Sequence, residues 1–277
     1  MGQAILTFNN YQSTQIFDKN SKRIKSSNNF SKYEINPFFE YGLSDNLTIG
    51  ANPTLQYWQA GDLADNSKTV TFRGCGTTKA IDGNKANGEI IESEFFIRKK
   101  LLEIGNMVFS MQPLVKTPCV LIVNSGAAVN WNSYETELRG LIGYGFKWNQ
   151  KSQDGKTYPF AGQYHFLNLE VAYRKYNGAL SDQVRIDATS GFRFNENILL
   201  LAQVFSSIST GKENISADIT TNDTQENIDR FGNVKLQLSG VLQTSKTTSA
   251  QLGVYTEIAG LNYSAGQGMM ISLWKVF

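Results

Sequence analysis

The chain has 277 residues, 41% of them hydrophobic and 12% aromatic, with a formal net charge of +2 and a mean hydropathy of −0.29. Only 18% of residues are charged, fewer than the ~25% usual in soluble domains, yet no window holds the ~18 uninterrupted apolar residues of a membrane helix. Near-balanced charge gives no electrostatic signal for nucleic acid or an acidic partner, and the length fits either one large all-β unit or two ordinary domains.

Period-2 alternation recurs almost throughout, and helical periodicity is nearly absent. Twelve strand-like runs are read, at 4–16, 30–42, 47–60, 89–100, 106–119, 134–147, 163–176, 183–194, 198–209, 231–243, 250–260 and 267–277. No Gly/Ser- or Pro-rich linker divides them, so residues 1–277 read as a single domain. The opening MGQAILTFNNY has neither a basic nor an apolar leader region, so an exported protein is expected to have lost its signal peptide already.

The connections sort by length. Ser44-Asp45-Asn46, Leu101–Gly105, Asn195-Glu196-Asn197 and Ser245–Thr248 are short and follow even-numbered runs. The long segments 18–29, 61–88, 120–133 and 210–230 follow odd-numbered runs, and 148–162 departs from the rule. Short periplasmic turns and longer extracellular loops are the pattern of a transmembrane barrel.

The faces sort by charge. The sixth run sets Tyr134, Thr136, Leu138 and Ile142 opposite Glu135, Glu137 and Arg139; the eighth sets Val184, Ile186 and Ala188 opposite Arg185, Asp187 and Arg193. About eight strands already enclose an interior just filled by side chains. Twelve apolar inner faces would therefore leave a void. With the apolar face turned to lipid and the charged face to water, closure also satisfies every sheet edge. The fold expected is all-β: a closed antiparallel transmembrane β-barrel of 12 strands. Aromatics form two bands, with Trp58, Trp131, Tyr134, Tyr173, Tyr176 and Tyr263 near the loop end and Tyr41, Phe146, Trp148, Phe194 and Phe277 near the turn end.

The last residues, QGMMISLWKVF, end an alternating strand on Phe277, which resembles the assembly signal of bacterial outer-membrane barrels, although Lys275 stands where such signals carry an apolar residue. The hairpin NPFFEYGLSDNLTIGAN, with the early Gly2-Gln3 pair, resembles the proteobacterial transporter family assigned to the MetA pathway of phenol degradation. The specific similarity covers about the first sixty residues. It implies a barrel in the bacterial outer membrane, lipid and lipopolysaccharide as its surroundings, and the barrel-assembly machinery as a partner through the terminal strand. It also raises uptake of small aromatic or apolar compounds.

Alternation places Glu34, Glu40, Glu92, Glu94, Glu135, Glu137, Glu170, Asp187 and Glu257 in the lumen, with Arg98, Lys116, Arg139, Arg174, Arg185, Arg193 and Lys235. A charge facing lipid costs up to ~2–4 kcal/mol at the bilayer midplane. Strand direction brings Arg174 near Glu137 and Asp187, and Glu170 near Arg139, a salt-bridged wall. Gln203, Ser207, Gln237, Ser239, Gln243, Gln251 and Tyr255 give a second, uncharged polar wall. The expected function is passive diffusion of small polar solutes, with a closed structural or adhesive barrel as the alternative outside transport. The lone His165 lies at a strand start near the periplasmic end, so no catalysis is expected, and no metal, cofactor or nucleic-acid motif is present. Cys75 and Cys119 both fall on the external side, where a disulfide would pin loop 61–88 and stabilise by ~3–4 kcal/mol. In the opening hairpin, a three-residue loop with Asn46 left-handed pairs Tyr33 with Tyr57 and Phe39 with Ala51. It also sets Pro37 opposite Pro53, predicting a break in the ladder.

Overall fold

A computed structural model describes residues 1–60, 78–81, 85–118, 134–147, 163–177, 181–211 and 230–277. In chain order the strands are β1 (Gly2–Phe17), β2 (Arg23–Ser44), β3 (Leu47–Ala60), β4 (Thr78–Ile81), β5 (Lys85–Ile104), β6 (Met107–Pro118) and β7 (Glu135–Lys147). They continue with β8 (Tyr164–Tyr176), β9 (Gln183–Arg193), β10 (Ile198–Ser209), β11 (Gly232–Ser245), β12 (Thr248–Leu261), β13 (Tyr263–Ser264) and β14 (Gln267–Val276). All pairings are antiparallel between neighbours, and β1 pairs with both β2 and β14, which closes the sheet. The short β4 and β13 only add to the rims of β5 and β1. Twelve staves make the wall.

Pairings followed round the wall from Gly2 through Tyr41, Ile49 and Ile97 climb away from the turn end and rejoin β1 near Ile16. That stagger of about fourteen residues over twelve strands tilts them by ~40° and sets a wall radius near ~11 Å. The outward row is apolar and exposed throughout: Phe39, Ile97, Leu138, Leu169, Ile186, Leu238, Val254 and Ile271 all face out, Leu138 at 54% exposure. No soluble monomer displays an apolar belt of this extent, so the barrel spans a membrane.

The turns show how the chain reverses. Register from Tyr33↔Tyr57 to Tyr41↔Ile49 follows the expected pairing. The turn itself is tighter than expected. Ser44 pairs with Leu47 and a bulge at Leu43 takes up the extra residue, so Asn46 is not left-handed; among the described non-glycine residues only Ser21 and Asn262 are. Gly105, at φ 57°, opens the Gly105-Asn106 turn in a conformation that side-chain-bearing residues avoid. The 18–29 segment is not a long loop: only Asp18–Lys22 separate β1 from β2, with Asp18 Oδ1 accepting from the amides of Asn20 and Lys22 at 2.8 Å. The polar sequence beyond it hid a hairpin that projects past the bilayer, where no apolar face is required.

Between Ile35↔Leu55 and Phe39↔Ala51 the β2–β3 ladder lapses around Pro37 and Pro53. Neither ring nitrogen can donate, and Asn36 Nδ2 bridges the gap to Thr54 Oγ1 at 2.7 Å. A second lapse, not anticipated, surrounds Pro113 between β5 and β6, bridged by Arg98 Nε to Gln112 Oε1 at 2.9 Å. Tyr41, Phe194 and Phe277 are exposed near the turn end, and Tyr134 and Tyr173 at the other. Trp58 (2% exposed), Tyr176 and Tyr263 instead turn into the lumen. Both proposed disulfide partners, Cys75 and Cys119, lie outside the described residues, as do Trp131, Trp148 and the 148–162 segment.

Candidate functional site

Antiparallel alternation brings the inward charges of β5 to β9 side by side, and they form one network. Arg174 is its hub: Nε donates to Glu137 Oε2 at 2.6 Å, Nη1 to Glu135 at 3.1 Å and Nη2 to Glu94 at 2.9 Å. Arg139 pairs with Glu137 Oε1 at 2.6 Å and with Glu170, and reaches Asp187 at 3.7 Å. Arg185 approaches Glu137 at 3.3 Å and Asp187 at 3.6 Å. Lys116 closes the network on Glu92 at 2.8 Å and Glu135 at 3.7 Å. Glu137 thus sits among three guanidiniums with its side chain wholly buried. Arg174 meets Glu137 but not Asp187, which the shorter reach from Arg139 and Arg185 claims instead. Six carboxylates face four cations here, so the wall is locally acidic.

The other charged positions lie apart from this network. Glu34 pairs with Lys32 at 2.9 Å, and Arg98 with Glu40 at 3.3 Å while lying over the Phe96 ring. Arg193 sits at the turn end and donates to the Glu196 carbonyl at 3.2 Å. Lys235 stands over Phe205 and Tyr255, and Glu257 accepts from Asn233 at 3.2 Å. The amide wall satisfies itself: Gln237 donates to Gln203 at 2.8 Å, Gln251 to Ser239 at 2.7 Å, and Trp274 Nε1 to Gln251 at 3.1 Å. Burying amides so requires these mutual bonds.

The inward face also carries apolar groups that alternation alone did not bring out. Phe38 stacks on Phe96 at 5.9 Å, while Leu199, Leu201 and Val241 pack with Phe166 and Trp274 nearer the turn end. The missed signal is glycine on a neighbouring stave: Gly50 lies beneath Phe96 and Gly191 beneath Phe166, where a Cβ would come within 2.1 Å of either ring.

The described residues of the lumen line at least two cavities. One of about 760 Å³ fills the loop-end half, bounded by Glu34, Glu92, Glu94, Lys116, Arg174, Arg185, Asp187, Lys235 and Glu257. Another of about 500 Å³ opens at the turn end beside Arg98, Asn168 and Glu170. The Glu137 network lies between them. At the loop-end rim, Asp182 accepts from the Tyr173 hydroxyl at 2.6 Å and the Tyr176 amide at 3.0 Å. Tyr173 thereby holds the Asp182 carboxyl below its ordinary range. His165 is fully buried between Phe146 and Phe192, its Nδ1 accepting from the Arg193 amide at 3.2 Å. That is a packing role. Among the described residues no group of three or more His, Cys, Asp or Glu is placed to hold a metal ion.

Fold and lumen together define a transmembrane β-barrel of the outer-membrane type. The chain is similar in structure to the COG4313 outer membrane channel from Pseudomonas putida F1, at a TM-score of 0.63 and 11% identity, covering 100% of this chain and 95% of that one. It is also similar to the translocator domain of the autotransporter NalP from Neisseria meningitidis, at a TM-score of 0.50 and 9% identity, covering 100% and 89%. At these identities the likeness shows the barrel fold that the alternation pattern led one to expect. No protein-family model and no curated protein matches the sequence.

Proposed function

We propose that the chain is an outer-membrane channel through which small polar solutes diffuse passively. The observation that carries this reading is a polar lumen with an internal cavity at the loop end and another at the turn end, the Glu137–Arg174 network lying between them. Location in the outer membrane is supported by the apolar outer belt and the similarity of fold. Within this reading, the exposed Lys19, Lys22 and Lys25 at the β1–β2 tip meet lipopolysaccharide phosphates, Arg23 being held over Phe17 and against the Glu257 carbonyl, and the strand ending in Phe277 engages the assembly machinery.

Single-channel recording in planar bilayers tests the proposal. Discrete conductance steps are expected, changed in size or ion preference by Arg174→Gln or Arg139→Gln. A folded barrel that never conducts would move the reading to a closed structural or adhesive barrel. Uptake of small apolar compounds is a second reading, favoured by the inward Phe38, Phe96, Leu199 and Leu201. Liposome flux assays comparing sugars with aromatic compounds separate the two.

A further inference from the structure

Most of the lumen charges among the described residues are ion-paired, but the adjacent Lys235 and Glu257 are not. Lys235 on β11 and Glu257 on β12 are direct cross-strand partners facing the cavity of about 760 Å³. Among the described residues neither forms an ion pair, with the other or with any third group. The Lys235 ammonium stands 4.6 Å from the Phe205 ring centre and 5.2 Å from that of Tyr255. The Glu257 carboxylate accepts one side-chain bond, from Asn233, while its backbone carbonyl accepts from Arg23 Nη2. Phe205 is the cross-strand neighbour of Lys235 on its other side, and Tyr255 lies parallel to Tyr11 at 6.2 Å. An aromatic platform is thus flanked by a cation with donors to spare and an anion with acceptors to spare.

We propose that this patch is a binding subsite for a neutral pyranose-type sugar. The C–H face of the ring displaces the Lys235 ammonium from over Phe205, and neighbouring hydroxyls accept from the displaced ammonium and donate to Glu257. A hydroxyl both donates and accepts, so one uncharged ligand satisfies both groups. A carboxylate ligand drawn to Lys235 would meet Glu257, and an ammonium drawn to Glu257 would meet Lys235. A plain aromatic would strip water from both charges and return no hydrogen bond. The inference rests on the channel reading only in taking the lumen as reachable by outside solutes.

The test is isothermal titration calorimetry on the whole folded barrel, in a detergent without a sugar head group. The ligands are methyl β-glucoside, glucuronate, glucosamine and benzoate. Methyl β-glucoside is expected to bind saturably and most tightly. Its affinity is expected to fall at least ~10-fold, about 1.4 kcal/mol, in Lys235→Met and in Phe205→Ala, and to be unchanged in the turn variant Lys246→Gln. Phe205→Leu keeps the volume and removes the ring face, should the alanine variant fold poorly. Absence of saturable glucoside binding, tighter binding of a charged sugar or benzoate, or undiminished binding in the Lys235 and Phe205 variants would overturn the subsite. Calorimetry needs no conduction, so a barrel that binds the glucoside but never conducts overturns the channel reading and leaves the subsite standing.

Discussion

Glu137→Gln is the sharpest probe of the lumen network, because it preserves shape and removes one charge. The parent carboxylate receives Arg174 Nε at 2.6 Å, Arg139 Nη2 at 2.6 Å and Arg185 Nη1 at 3.3 Å, and its side chain is wholly buried. Removing one member of a buried ion cluster costs ~3–5 kcal/mol. Each arginine keeps another carboxylate, however: Glu170 for Arg139, Glu94 and Glu135 for Arg174, Asp187 for Arg185. Cavity water screens them further, so the expected loss is about 2–3 kcal/mol. Urea-driven unfolding of the barrel in lipid vesicles reads this directly. The control is Glu103→Gln, whose solvent-screened pair with Lys100 is expected to leave the unfolding midpoint unchanged. The same substitution adds one positive charge to the lumen and is expected to move the reversal potential in a salt gradient toward anions. An unfolding midpoint and a reversal potential both equal to the parent's would refute the assignment of Glu137 as the charge that holds these arginines together.

Two further outcomes follow from other parts of the wall. Asp182 ionises more readily folded than unfolded, because Tyr173 donates to it. Its support of the β8–β9 rim is therefore complete above the unfolded value of ~3.9 and is lost as pH falls through the lowered folded value. Hydrogen-exchange protection of the Tyr176 amide should show that loss below about pH 4, and Asp182→Asn should abolish the pH dependence. Gly50→Ala would drive a methyl to 2.1 Å from the Phe96 ring, an overpacking expected to cost ~1–3 kcal/mol. In the Phe96→Ala background the cost should shrink, and strict additivity of the two in unfolding measurements would show that the ring is not the obstacle.

How much of the molecule could be read from its residues depended on which force set each feature. The twelve-strand barrel was legible because lipid outside and water inside impose opposite chemistries on alternate residues, as at Leu138 beside Glu137 and Arg139. The Pro37–Pro53 lapse was legible for a similar reason, since a fixed register follows from one short turn and proline lacks a donor. The β1–β2 hairpin was not, because beyond the bilayer no apolar face marks Arg23–Asn29 as strand. Nor was the bulge at Leu43, where the chain chose between two turns that its composition allows equally. The inward Trp58 and Tyr263 show the same limit, because an aromatic near a rim suits either interface or lumen until its neighbours are known. Period-2 patterning by itself determined which face of each strand meets water. Only the closed tertiary structure decided which charges across neighbouring staves pair and that Lys235 and Glu257 do not. Such contacts depend on side-chain reach across a curved, staggered wall, and no spacing within a single strand encodes that.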